Sequence, residues 1–209
     1  MAKIAKLASR LNWRHQPTPV DVRTHPGALA CFYLFTDQDR LADPSELLHR
    51  LPAGAAVVLR HRDPQQLETL ARRVVPCAHA LGLKVLLAGD VRSALRLGCD
   101  GVHLSQRAAR VGPARGRRLK PGFMVSAAAH DAFSLRRAAL AGADVVVLSP
   151  VFVTLSHADA KPLGVVRFAR LCAVSRVPVV ALGGITPSGA KRLSLGPAHG
   201  IAAIGAWRD

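Results

Sequence analysis

Eight apolar runs, rich in β-branched residues, recur along the chain at intervals of roughly 20 to 30 residues and constrain its fold more than any other feature. Each run is continuously apolar instead of alternating with polar residues, which is typical of parallel strands buried on both faces. The predicted strands are 31–36, 55–60, 83–88, 100–105, 122–127, 144–149, 177–182 and 200–205. Helical patterns lie between several of them, the clearest at 64–81 and at 131–141, where Asp131 is a candidate N-cap.

Eight strand–helix steps in a single chain predict an α/β fold, namely a small (β/α)8 TIM barrel. An open doubly wound sheet is the alternative, but the GxGxxG turn of that fold does not follow the first predicted strand, which continues into TDQDR. Almost no sequence follows the run 200–205, so no room remains for a final eighth outer helix. We expect an N-terminal helix, or the partner subunit of a homodimer, to cover that surface instead.

The first 28 residues differ in pattern from the rest, so we divide the chain into a basic N-terminal extension, 1–28, and a barrel, 29–209. A short amphipathic helix is predicted in the extension, because its apolar residues follow an i, i+3, i+4, i+7 spacing. The apolar positions are Ile4, Leu7, Ala8 and Leu11, and basic residues alternate with them at Lys3, Lys6, Arg10 and Arg14. A mitochondrial presequence has a similar pattern, but a helix that covers the core is the more ordinary explanation.

The composition indicates a soluble, cytoplasmic protein with one packed core. Hydrophobic residues make up 50% and charged residues 20% of the 209 residues. No apolar run approaches the ~20 residues that cross a bilayer, and the N-terminus lacks the apolar centre of a secretory signal. The cysteines lack CxxC spacing and fall in apolar segments, which predicts buried free thiols at Cys31, Cys77, Cys99 and Cys172.

The charge is strongly basic, with 29 Lys and Arg residues against 13 Asp and Glu and a formal net charge of +16. Such an excess invites a nucleic-acid partner. The basic residues are spread along the whole chain, however, and aromatic residues are only 4% and do not alternate with them as a stacking platform requires. The pattern therefore favours a solvated basic surface over a nucleic-acid site, with a polyanion-binding surface as the alternative.

Functional residues of a TIM barrel lie on the loops that follow the carboxyl ends of its strands. Gly183 and Gly184 follow the seventh predicted strand and let backbone N–H groups approach a phosphate, with the positive end of the next helix behind them. Thr154 and Ser156 follow the sixth strand two residues apart, so both hydroxyls can face the same way. These loops together indicate a small phosphorylated ligand, although the glycines alone also fit a plain tight turn.

Four more side chains lie at predicted strand ends. Arg60 and Arg62 have the same i, i+2 relation after strand two and suit bidentate binding of phosphate. Asp90 after strand three either ligates Mg²⁺ or caps the following helix. His130 after strand five is the candidate catalytic acid–base, because histidine exchanges protons near neutral pH. His103 lies inside strand four and is predicted to line the barrel or its core.

Several segments resemble the thiamine phosphate synthase/TenI superfamily of (β/α)8 barrels, in the same order and spacing from about residue 31 to 206. They are VVLRHRD at 57–63, GCDGVHLSQ at 98–106, AGADVVVLSPVFVTLSH at 141–157, PLG at 162–164, PVVALGGIT at 178–186 and GIAAIGA at 200–206. The resemblance implies a role in thiamine biosynthesis. The synthases join a hydroxymethylpyrimidine pyrophosphate to a thiazole phosphate with Mg²⁺, whereas the TenI-like branch isomerises a thiazole phosphate carboxylate to its aromatic tautomer.

The matching positions keep one half of the family's site better than the other. On the thiazole-phosphate side the family's hydroxyls and backbone amides are retained at Thr154, Ser156, Gly183 and Gly184. Gly205 replaces a serine of the family but keeps a backbone N–H that can serve, and His157 replaces a lysine. On the pyrimidine and Mg²⁺–pyrophosphate side Arg60 is retained. Other family residues are replaced there: Gln by Val58, Lys by Arg62, Asn by Gly89, the second metal-binding Asp by Ala108 and Ser by Ala128. Asp90 is then the one metal-binding carboxylate that remains, which weakens the case for Mg²⁺.

Three hypotheses follow. The favoured one is a protein that binds thiazole phosphate or thiamine phosphate, with a TenI-like proton transfer by His130 that needs no metal. The first alternative is an active thiamine phosphate synthase in which Asp90 holds Mg²⁺ and the arginines assist. The second alternative is a non-catalytic barrel that binds a phosphorylated ligand or a polyanion. The sequence favours an enzyme but does not decide between these reactions.

Overall fold

Eight short strands alternate with helical segments along the chain. The computed structural model describes residues 29–110, 120–154, 161–194 and 196–205. The strands are β1 (Phe32–Phe35), β2 (Ala56–Leu59), β3 (Lys84–Ala88), β4 (Gly101–Leu104), β5 (Met124–Ala129), β6 (Val145–Leu148), β7 (Val179–Leu182) and β8 (Gly200–Ala203). All eight predicted strands are therefore present, and only β5 is displaced, beginning and ending two residues later than its predicted range.

The strands form a closed barrel in sequence order, and β1 pairs with β8 to complete it. Every neighbouring pair is parallel. The prediction of an α/β fold, a small (β/α)8 TIM barrel, is thus confirmed. The predicted N-terminal helix within 1–28, together with Ser156 and His157, lies outside the described residues. The lack of a final eighth outer helix stays a prediction from the sequence.

The connections between strands are of two kinds. Five α-helices follow β2, β3, β5, β6 and β7: α1 (Pro64–Ala80), α2 (Val91–Arg96), α3 (Ala132–Leu140), α4 (Gly164–Ala173) and α5 (Pro187–Ser194). Short 3-10 helices at Ser45–Arg50 and Ala108–Arg110 follow β1 and β4. Side-chain caps fix where α1 and α3 begin, because Asp63 accepts from the N–H of Gln65 (2.8 Å) and Asp131 from that of Ser134 (2.7 Å).

The strands are buried on both sides, which explains their continuously apolar sequences. In β1, Tyr33 and Phe35 point into the barrel, whereas Leu34 packs outward among the residues that contact the helices. The cluster inside the barrel, called the inner cluster below, consists of Ala30, Tyr33, Phe35, Ala56, Val58, Leu86, Met124, Val145, Val147, Val180 and Ala202. This filled interior occupies the amino-terminal side of the barrel, and an open space lies at the carboxyl ends of the strands.

All four cysteines are free thiols, but not all of them are buried. Cys99 and Cys172 are buried, and this burial raises the pKa of each thiol to about 12. Cys77 is exposed, so the prediction of burial was wrong there: α1 is amphipathic, and Cys77 lies on its solvent side. Among the described residues no helix has the length and apolar character needed to span a membrane.

Candidate active site

An open cavity of about 1110 Å³ lies at the carboxyl ends of the strands, and all eight strands or their following loops contribute to its lining. Its size is that of a small-molecule site. Seven of the residues predicted for the site line it: Arg60, Asp90, His130, Thr154, Gly183, Gly184 and Gly205. The barrel therefore brings together side chains that are up to 145 positions apart in the sequence, from Arg60 to Gly205.

The loop after β7 lies tightly against the loop after β6, and two glycines make this approach feasible. Gly183 and Gly184 have φ values of +99° and +62°, in the region that favours glycine. A Cβ on Gly183 would lie 2.9 Å from the Cα of Pro150, and one on Gly184 would collide with the carbonyl oxygen of Val153. The glycines are thus needed for the close packing of these two loops, whereas their approach to a phosphate stays a prediction. Thr154 follows directly on Val153 in the cavity lining.

Backbone hydrogen bonds continue the β6–β7 pairing beyond the ends of the strands. The N–H of Val151 donates to the carbonyl of Leu182 (2.9 Å), and the N–H of Phe152 donates to that of Gly183 (3.0 Å). Helix α5 then begins directly after this loop, with the hydroxyl of Thr186 accepting from the N–H of Gly189 (3.2 Å). A fixed loop followed by a helix N-terminus is an arrangement that favours binding of an anion.

His130 is held at the cavity rim in a defined orientation. Its Nδ1 lies 2.7 Å from the carbonyl oxygen of Ser149, at the end of β6. A carbonyl only accepts hydrogen bonds, so the neutral ring carries its proton on Nδ1 and has its lone pair on Nε2. The backbone N–H of His130 donates to the hydroxyl of Ser134 (2.9 Å), which belongs to the capping box of α3 with Asp131. His130 can therefore accept a proton through Nε2.

Arg60 is a half-buried cation in the wall of the cavity. Its Nε donates to the carbonyl of Thr36 (2.9 Å), an Nη lies 3.5 Å from the carboxylate of Asp37, and its guanidinium lies 5.2 Å from the ring centre of Phe35. Burial lowers the pKa of Arg60 from its usual value, an effect that Asp37 opposes. The remaining N–H groups of the guanidinium can bind an anion in the cavity.

Asp37 and Arg40, on the loop after β1, also line the cavity, and neither was predicted. Arg40 donates to Asp37 through Nε (3.3 Å) and Nη2 (3.0 Å), and these hydrogen bonds hold the pKa of the Asp37 carboxyl below its usual range. The sequence contained a signal for both residues, because they directly follow the first predicted strand, as the other candidate site residues follow theirs. In the sequence, the segment TDQDR served only as evidence against a doubly wound fold.

Arg62 lies outside the cavity lining, unlike Arg60. Its side chain is 83% exposed, and its guanidinium lies 3.8 Å from the carboxylate of Asp39. Strand β2 ends at Leu59, so the alternation of an extended strand does not continue to Arg62. The i, i+2 spacing had suggested that the two arginines share one face, but in the structure they do not.

Asp90 lines the cavity but acts as the cap of α2. Its Oδ1 accepts from the N–H of Ser93 (2.9 Å) and its Oδ2 from the hydroxyl of Ser93 (2.8 Å), and these bonds lower the pKa of Asp90. The other carboxylate in the lining, Asp37, is bound by arginines. Within the described ranges no three His, Cys, Asp or Glu residues gather as metal ligands. This donor set does not fit a Mg²⁺ clamp on a diphosphate, for which carboxylates free to face the ion are needed.

His103 lines the cavity from the middle of β4, as the sequence predicted for a barrel-lining residue. Its Nδ1 lies 2.8 Å from the hydroxyl of Ser126, and its ring meets that of Phe35 edge to face, 5.1 Å between centroids. Burial, and secondarily the charge of Arg60, lowers the pKa of His103 to about 3. The imidazole is therefore neutral under physiological conditions.

A family model and similar proteins of other organisms assign this chain to the same family. The family described as thiamine monophosphate synthase matches residues 32–207. A putative thiamine-phosphate synthase 2 of Aquifex aeolicus is 33% identical over 177 residues, 82% of this chain and 94% of that protein. A thiamine-phosphate synthase of Methanoregula boonei is 37% identical over 160 residues, 74% of this chain and 73% of the other.

The fold also matches a solved member. A thiamine phosphate pyrophosphorylase from Pyrococcus furiosus superposes with a TM-score of 0.68 over 85% of this chain and 86% of the other, at 21% identity. An identity this low supports the fold alone, whereas the family match covers the barrel from β1 to beyond β8. On this evidence the chain belongs to the thiamine phosphate synthase/TenI superfamily, a family of thiamine biosynthesis.

Proposed function

We propose that this protein binds a thiazole phosphate at the carboxyl face of its barrel and catalyses a TenI-like tautomerisation of the thiazole by proton transfer. The observation that carries this proposal is the placement of His130, whose Nδ1 is bound to the Ser149 carbonyl (2.7 Å) and whose Nε2 is left to exchange a proton. Ser149 belongs to the same loop as Thr154, on the side of the cavity where the sequence indicates phosphate binding.

The phosphate would be bound by the backbone N–H groups of Gly183, Gly184 and Gly205 and by the hydroxyl of Thr154. The bonds between the loops after β6 and β7 keep three of these groups in place before a ligand arrives. Preorganised donors of this kind bind an anion with little loss of conformational freedom. The N-terminus of α5 adds a favourable dipole.

In the proposed reaction, Nε2 of His130 removes a proton from one atom of the thiazole ring and returns a proton to another atom of the same ring. The substrate and the product then differ only in the position of one hydrogen, and no leaving group or oxidant is needed. Negative charge that develops on the ring would be stabilised by the half-buried guanidinium of Arg60. None of these steps uses a metal ion.

The second candidate function is thiamine phosphate synthesis itself. The relatives that match this chain carry the name thiamine-phosphate synthase. In addition, three arginines line the cavity, Arg40, Arg60 and Arg107, and could bind a diphosphate leaving group. We favour tautomerisation because Asp90 is engaged as a helix cap and Ala108 provides no second carboxylate.

The test is a comparison of the wild-type protein with His130→Gln on the thiazole phosphate carboxylate, with tautomer conversion followed by NMR. We expect His130→Gln to lower the turnover rate by about 10²- to 10⁴-fold, with little change in KM. His61→Gln is the matched control, because His61 is half-buried and lies outside the cavity lining. EDTA should leave the wild-type rate unchanged.

An unchanged rate in His130→Gln would contradict the proposed catalyst. The alternative is tested in parallel by incubating the protein with hydroxymethylpyrimidine pyrophosphate, thiazole phosphate and Mg²⁺. Release of pyrophosphate that depends on Mg²⁺ would establish the synthase reaction and displace our proposal.

A further inference from the structure

The floor of the cavity contains one buried polar side chain. The lining residues that are themselves buried are Phe35, His103, Val147, Ile185, Ala202 and Ala203. Five of them are apolar, and His103 is 6% exposed. In the described part of the lining, every other polar side chain lies higher, at a half-buried or exposed position. A buried polar group at the bottom of an apolar cavity is suited to fixing the orientation of a ligand.

The imidazole of His103 is held by two neighbours. The hydroxyl of Ser126, which is fully buried on β5, lies 2.8 Å from Nδ1 and 3.4 Å from the carbonyl of Val102. Phe35 contacts the ring edge to face, with an interplanar angle of 88°. Nδ1 is thus occupied, and Nε2 is the ring nitrogen that remains for a partner in the cavity.

The charge distribution of the cavity suits a ligand that has two chemically different parts. Cations and backbone amides that can bind an anion lie at the rim, on Arg40, Arg60 and the glycine loop. The floor is uncharged, since burial keeps His103 neutral, and its other buried residues are apolar. The rim therefore suits the phosphate, and the floor suits a flat, uncharged ring with a polar group at its edge.

We propose that His103 is a ligand-recognition residue whose Nε2 hydrogen-bonds a nitrogen-bearing edge of the bound heterocycle, with Ser126 as the residue that positions it. This inference rests on the proposed function, because the ligand is the same phosphorylated heterocycle. A site that hydrogen-bonds a ring nitrogen discriminates against rings that lack it, because its own polar atom would be left unpaired. His103 would thus select the heterocycle, whereas the rim binds any phosphate ester.

The experiment measures binding by calorimetry with two probes, thiazole phosphate and inorganic phosphate. The variants are His103→Leu, which keeps the floor apolar and filled, His103→Gln, which retains a hydrogen-bonding group, and Ser126→Ala. We expect His103→Leu to weaken binding of thiazole phosphate about tenfold and to leave the affinity for inorganic phosphate unchanged. His103→Gln should recover part of the loss, and Ser126→Ala should show about a threefold loss.

Several results would overturn the inference, and they differ from a failure of the proposed function. If the wild type binds thiazole phosphate and His103→Leu binds it equally well, His103 does not recognise the ring and the proposed function still stands. If His103→Leu and His103→Gln weaken both probes equally, the role of His103 is structural. If the wild type binds inorganic phosphate but not thiazole phosphate, the proposed function fails and the inference fails with it.

Discussion

The two histidines that line the cavity differ in burial and in the hydrogen-bond partner of Nδ1. His130 is exposed, and the Ser149 carbonyl fixes its proton on Nδ1, which suits a side chain that exchanges protons. His103 is buried beside Phe35 and Ser126, where burial lowers its pKa to about 3 and it stays neutral. Residue type alone would have assigned both to acid–base chemistry. The sequence already predicted their different positions, His103 inside a strand and His130 after a strand end, and the catalytic role of His130 stays a prediction.

Gly184 is a residue of the candidate site at which a minimal change should have a large effect on stability. Gly184→Ala places a side chain at a φ of +62° and into the carbonyl of Val153, so we expect a loss of at least about 2 kcal/mol in the free energy of unfolding. Urea denaturation measures this loss. Gly205→Ala is the control, because a Cβ there meets nothing within 4 Å, and it should stay within about 0.5 kcal/mol of wild type. Equal stabilities of the two variants would contradict the described packing.

At the scale of elements, α3 links helix capping to the candidate catalyst. Asp131 and Ser134 form a reciprocal capping box, and the same Ser134 hydroxyl accepts the backbone N–H of His130. The end of β5 and the start of α3 are therefore joined through one side chain. A change that weakens this cap should therefore also displace the imidazole of His130.

Asp131→Ala tests this link against Asp63→Ala, which removes the corresponding cap of α1. Both should lower the free energy of unfolding by about 1 kcal/mol, because each leaves backbone N–H groups of a first turn without a partner. Only Asp131→Ala should also lower the rate of tautomerisation. Thermal unfolding and the NMR assay measure the two effects. A rate loss of equal size in both variants would show that it follows from stability alone.

The boundaries of elements show what sequence patterns can and cannot predict. The strands were predicted from continuous apolar runs, a signal that burial on both faces creates directly. The range of β5 was displaced because its end, Ala127–Ala129, lacks the β-branched residues that mark a strand. The 3-10 helices Ser45–Arg50 and Ala108–Arg110 were not predicted, since segments of 6 and 3 residues are too short for a helical period. Arg62 was grouped with Arg60 because the end of β2 was placed one residue too late.

The whole molecule should respond to acid in a defined pH range. Hydrogen bonds from Arg96 and Arg72 lower the pKa of Glu68 to about 2, and bonds from Ser134, Ser93 and Arg40 lower the pKa values of Asp131, Asp90 and Asp37. A lowered pKa in the folded state means that the stabilisation is present above the unfolded value, about 4, and is lost as the pH falls through the folded value. The same reasoning applies to His103, which stays neutral in the fold but is protonated in the unfolded chain below about pH 6.5. We expect the free energy of unfolding to begin to fall below about pH 6.5 and to fall further between about pH 4 and 2.

Urea titrations at a series of pH values measure this profile, and Glu68→Gln provides the control. Glu68 is exposed and interacts with two arginines, so its variant should show a smaller decline between about pH 4 and 2. Added salt should reduce the difference between variant and wild type, because exposed ion pairs are screened. A profile that stays level from pH 7 down to 5 would contradict the neutral, buried state of His103 in the fold.

The location of the site follows from the topology of the whole barrel, which explains how far sequence could predict it. Parallel strands all end at one face, so His130, Gly183 and Thr154 could be grouped before any contact was known. Distances could not be predicted, because they depend on how the barrel closes from β8 to β1. The ion pair between Arg60 and Asp37 and the close approach of Gly184 to Val153 are contacts of this kind, because each joins the loops of two neighbouring strands.

Because all strands run in the same direction, the start of β1 and the end of β8 lie on opposite sides of the barrel. The chain enters β1 at the side opposite the cavity and leaves β8 at the rim, where Gly205 lines the cavity mouth. A fluorescent label placed at Gly205 would therefore lie at this mouth and should report on occupancy of the cavity. Immobilisation through the same position should obstruct ligand entry.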